Sequence, residues 1–95
     1  MKLLMAIVRD DHAADVTFAL NSEGYSVTRI SSTGGFWRHG NVTLLIGVDD
    51  DKVDAALELI DANAGPEVAT DDAPSSHPPH RATIFVLGVN QTAHF

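Results

Sequence analysis

The chain contains no cysteine, which excludes disulfide staples, thiolate zinc sites and a cysteine nucleophile. Basic residues are scarce: Lys and Arg number 6 against 13 Asp and Glu, for a formal net charge of -7. Nonspecific binding to DNA or RNA needs clustered cations to neutralise phosphates, so nucleic acid is not an expected partner. One small anion in a local pocket remains compatible with this charge. Long apolar runs are also missing. The stretch MKLLMAIV at the start is cut off by Arg9-Asp10-Asp11, too soon for a secretory h-region or a membrane span. A buried strand and a cytoplasmic protein with no membrane contact are the expectation. Proline is confined to a single stretch, Pro66 to Arg81, which holds all 4 prolines together with Ser, Asp and His. It reads as one long flexible loop, about 66–81.

What is present suits one compact domain over 1–95. The chain has 95 residues, 44% hydrophobic and 20% charged, close to an ordinary globular protein. Leu3 to Val8 is apolar in both alternating sets, Leu3-Met5-Ile7 and Leu4-Ala6-Val8, as a strand in the middle of a sheet would be. Asp10 or Asp11 can cap a helix running to about Glu23, with Ala13, Val16, Ala19 and Leu20 on one stripe and Gly24 as the stop. Tyr25 to Ser32 is β-branched but more polar, which suits an edge strand. Thr33 to Gly40 is rich in glycine and reads as a hairpin loop. Asn41 to Val48 forms a second apolar strand. Asp49-Asp50-Asp51 then offers an N-cap to a helix with Val53, Ala56, Leu57, Ile60 and Ala64 on one face, ending at Gly65-Pro66. Ala82 to Leu87 is the last strand.

The order β-α-β-β-α-β specifies an α+β, ferredoxin-like sandwich with strands one and three in the centre. Right-handed crossovers place both helices on one face of the sheet. The other face would be bare, yet strand one is apolar on both sides. A second subunit covering that face is the economical reading.

The segment Thr33-Gly34-Gly35-Phe36-Trp37-Arg38-His39-Gly40-Asn41 carries most of the chemistry. Glycines let backbone N–H groups approach phosphate oxygens. Phe36 and Trp37 offer flat faces to a base, Arg38 adds charge, and Asn41 presents both a donor and an acceptor. Packing of Phe36 and Trp37 against a neighbouring subunit explains the same residues equally well. The histidines do not suggest a metal: His77 and His80 bracket two prolines, and His39 and His94 lie elsewhere without ligand spacing. The three aspartates lack the glycine and glutamate of a calcium loop. An acylphosphatase-like enzyme would use Arg9 and Asn41, but Asp10, Asp11 and Asp15 beside Arg9 would repel an anionic phosphate.

Three blocks together resemble the PII-like cyclic di-AMP receptor family: KLLMAIVRDD from Lys2, SSTGGFWRHGNVTLLIGVDDDKVDAALELI from Ser31, and ATIFVL from Ala82. The string TGGF-x-R-x-GN-x-T-L-x-x-GV is long and specific. The resemblance implies a homotrimer that binds cyclic di-AMP between subunits, with no catalysis, no further cofactor, and a downstream protein target. Matched by position, it implies ligand contacts at Thr28, Gly35, Phe36, Trp37, Asn41 and Gly47. Phe85 would line the cleft, and the neighbouring subunit's C-terminal tail would close it near His94. Arg29 and Arg38 are candidate phosphate contacts, because Ser26 stands where such receptors often carry arginine and Gly24 where some carry asparagine. The segment between the second helix and the last strand is also shorter than in typical members. A trimer that no longer binds cyclic di-AMP, and instead takes another small anion or serves as a protein-interaction module, is the alternative.

Overall fold

The computed structural model describes residues 1–30, 40–65 and 82–95. Its elements are β1 (Lys2–Arg9), α1 (Asp10–Ser22), β2 (Val27–Ile30), β3 (Asn41–Val48), a single 3-10 turn (Asp50–Lys52), α2 (Val53–Asn63) and β4 (Ala82–Gly88). The sheet order is β2-β3-β1-β4, and every neighbouring pair is antiparallel. The strands expected in the centre are the central ones. The hairpin tip, 33–39, and the proline-rich stretch, 66–81, lie outside the described residues.

Strand parity decides which side chains enter the core, since successive residues point to opposite faces. Leu4, Ala6 and Val8 of β1 pair with Ile46, Leu44 and Val42 of β3, and all six are buried. They pack on Ala13, Val16 and Leu20 of α1 and on Ala56 and Ile60 of α2. Each helix therefore buries a narrow apolar stripe against the same face of the sheet. The helix layer and this face make up the hydrophobic core.

Helix α1 stops where expected. Gly24 holds φ +91°. Its N–H donates to the Asn21 carbonyl at 3.0 Å, and the Tyr25 N–H to the Leu20 carbonyl at 3.0 Å, the two bonds of a Schellman ending. The helix starts differ from expectation. Arg9 occupies the N-cap of α1 and makes no side-chain cap bond, while Asp10 and Asp11 fall in the first turn. They act there through the positive end of the helix dipole rather than as caps. At the second helix the aspartates open a 3-10 turn, and Lys52 is the N-cap of α2. Asp50 instead lies 2.8 Å from the Met1 ammonium, whose hydrogen bond and charge hold its carboxyl below the usual carboxylate range.

Strand β2 is shorter than its polar, β-branched run suggests. Tyr25 and Ser26 precede it, because the chain leaving the Schellman ending is not yet in register with β3.

Candidate functional site

The sheet face opposite the helices carries the other parity set. It presents Leu3, Met5 and Ile7 from β1, Thr43, Leu45 and Gly47 from β3, Thr28 and Ile30 from β2, and Phe85 and Leu87 from β4. Among the described residues no helix packs on it: Thr43 is buried, but Ile30 is 40% exposed, Phe85 50% and Leu87 44%. A patch of this kind, with apolar residues from all four strands, is larger than scattered surface hydrophobics explain.

The residues implied as ligand contacts occupy this uncovered face in a particular arrangement. Thr28 pairs with Leu45, Leu45 with Met5, and Met5 with Phe85, so the four form one row across the sheet. Thr28 stands at one edge and Phe85 at the other. Three interstrand spacings separate them, about 14 Å. Asn41 and Gly47 also share the face but sit at opposite ends of β3, about 20 Å apart at the rise of an extended strand. His94 lies exposed in the tail beyond β4. Gly35, Phe36, Trp37 and Arg38 lie outside the described residues.

Arg29 points the other way. It has the parity of Val27, which pairs with Ile46 on the helix face. Its Nη2 donates to Asp10 Oδ1 at 3.0 Å. The backbone N–H of Asp10 donates to the Gly40 carbonyl at 2.6 Å. Asp10 therefore ties the start of α1 to both β2 and the approach to β3.

The end of the sheet where β2 enters and β3 leaves opens into a cavity of about 260 Å³. Gly24, Tyr25 and Ser26 line one side, Gly47 and Asp49 another, and Lys52 and Glu23 complete the wall. A second, shallower groove shares Glu23, Tyr25 and Lys52 and continues over Ala55, Leu59 and Ala62 of α2. Near the cavity the Met1 side chain lies over Gly47, whose added Cβ would come within 3.6 Å of Met1 Cε. The Met1 carbonyl accepts from the Val89 N–H at 3.1 Å, so the tail leaves β4 beside Gly47. Sequence reasoning missed Lys52 and Tyr25. The aspartate run drew attention to capping, and only the tertiary fold brings Lys52 beside Gly47.

Among the described residues no group of three or more His, Asp or Glu could hold a metal ion. No helix among them is long and apolar enough to cross a membrane.

A family model described as cyclic-di-AMP receptor matches residues 1–74. The chain belongs to that family. A relative from Methanothermococcus thermolithotrophicus, the nitrogen fixation nifHD region GlnB-like protein 1, is 36% identical over 77 residues, covering 67% of this chain and 73% of the relative. The crystal structure of a functionally unknown protein from Pediococcus pentosaceus superposes with a TM-score of 0.74 at 32% identity. That match covers 99% of this chain and 96% of the other. These likenesses make the α+β sandwich a ferredoxin-like fold of the PII type.

Proposed function

We propose that this member of the receptor family is a non-enzymatic signal-transduction protein of the cytoplasm. It assembles as a homotrimer and binds cyclic di-AMP in the clefts between subunits, and the bound state is read by a protein target. One observation carries the reading. Thr28, Asn41, Gly47 and Phe85 share the uncovered face of the sheet, yet Thr28 and Phe85 stand on its opposite edges. A separation of about 14 Å prevents one nucleobase from touching both in a single chain. Bringing the β2 edge of one subunit to the β4 edge of the next joins them in one cleft and covers the apolar face at the same time.

In this cleft Gly35, Phe36 and Trp37 line a base, Asn41 reads its edge and Gly47 admits close approach. Phe85 and His94 come from the neighbouring subunit, and Arg38 is the hairpin's phosphate contact. The length of β3 between Asn41 and Gly47 favours a ligand with two bases over a mononucleotide.

Calorimetric titration with cyclic di-AMP, with ATP, cyclic AMP and cyclic di-GMP alongside, tests the proposal. Saturable binding near one ligand per chain, lost in Phe36→Ala and in Asn41→Ala, supports it. Equal or absent heats for all four nucleotides refute it. A second reading, a trimer that has lost this ligand, draws on the cavity beside Ser26. The carboxylates of Glu23 and Asp49 stand on its wall and disfavour an anion. Trimeric sedimentation without nucleotide binding would select that reading.

A further inference from the structure

We infer that Lys52 is the phosphate-holding cation of this cleft; the inference rests on the nucleotide-binding reading above. Phosphate contacts at the sheet end need a positive group there. Arg29, the basic residue of β2, faces the helix layer and is bound to Asp10 at 3.0 Å, so it does not reach the uncovered face. Lys52 lines the cavity that holds Gly47 and Ser26, and it also lines the adjoining groove. Among the described residues it takes part in none of the ion pairs.

Its placement is fixed by backbone rather than by a carboxylate. The Lys52 N–H donates to the Asp49 carbonyl at 2.9 Å, closing the 3-10 turn. The same residue is the N-cap of α2, so its backbone stands at the positive end of that helix dipole, where an anion is favoured. Gly24 has open space where a side chain would stand, which leaves room for a phosphate to approach the backbone there. Tyr25 also lines this cavity. Glu23 and Asp49 also line this cavity, and Lys52 offsets part of their charge.

The test is calorimetric titration of the full chain with cyclic di-AMP at low and moderate salt, using Lys52→Met, Lys52→Arg and Glu23→Gln. Loss of a charge-assisted hydrogen bond weakens affinity about tenfold or more, so Lys52→Met should show that loss and a shallower salt dependence. Lys52→Arg should stay within a few fold of the unaltered protein, and Glu23→Gln should bind more tightly. Both residues are exposed, and unchanged melting temperatures will show that the three variants fold. If Lys52→Met binds like the unaltered protein while Asn41→Ala abolishes binding, Lys52 has no such role and the nucleotide reading stands. If the unaltered protein binds no cyclic di-AMP, both fall together.

Discussion

Gly24 holds φ +91° and Gly65 holds φ +97°, but the space around them differs. A Cβ at Gly24 would meet nothing within 4 Å. A Cβ at Gly65 would fall inside the imidazole of His12, at the seam between the start of α1 and the end of α2. A left-handed alanine costs about 1–2 kcal/mol, and forcing a methyl into packed atoms adds about 1–3 kcal/mol. Gly24→Ala should therefore lose only the first amount in urea unfolding, and Gly65→Ala the sum of both. Adding His12→Ala to Gly65→Ala should recover most of the difference between the two glycine variants, as a double-mutant cycle reads directly. Equal losses for Gly24→Ala and Gly65→Ala would mean that the backbone angle alone sets the demand.

Among the elements, β2 and β3 show how parity separates residues of the helix side from those of the opposite face. Arg29 and Asp10 are about half exposed, and such pairs contribute about 0–1 kcal/mol. Arg29→Ala should therefore cause only a small shift in melting temperature and leave nucleotide affinity within twofold. A tenfold loss of affinity would place Arg29 in the cleft after all. On β3, Leu44 is fully buried against the helices, whereas its neighbour Leu45 lies on the uncovered face. Leu44→Ala should destabilise by about 2–5 kcal/mol at any protein concentration. If the proposed trimer buries this face, Leu45→Ala should destabilise in a concentration-dependent way.

These elements also show what the sequence made legible. The two apolar parities of Leu3 to Val8 sufficed to place β1 in the centre, and the alternation of Asn41 to Val48 placed β3 beside it. Gly24 marked the end of α1, because a left-handed residue after a helix is a local requirement. The helix starts were less legible: one aspartate run can cap, open a 3-10 turn or pair with a distant ammonium, and composition does not separate these. The direction of Arg29 depends on which residue of β2 first pairs with β3. The place of Lys52 beside Gly47 depends on how a turn folds back on a sheet end. Both are tertiary facts.

For the whole molecule, the decisive quantity is the uncovered face. Its central strand presents Leu3, Met5 and Ile7, each only partly exposed, and its edges present Ile30, Phe85 and Leu87, each at least 40% exposed. A chain of 95 residues has little core to spare, so leaving this area in water would forfeit stability. In the proposed trimer, association would cover it and bring the β2 and β4 edges of different chains together, so assembly and ligand binding should fail as one. Met5→Glu tests this coupling, because Met5 sits in the row between Thr28 and Phe85 and contacts no residue of the helix-side core through its own parity. A carboxylate there would be buried unpaired in an assembled face, which is strongly unfavourable. Sedimentation velocity should show the trimer dissociating to monomers of unchanged helical content. Titration with cyclic di-AMP should then show no binding, although every implied contact residue is still present. A monomeric Met5→Glu protein that still bound the nucleotide would confine the site to one chain and remove the reason for placing Phe85 in a neighbour's cleft.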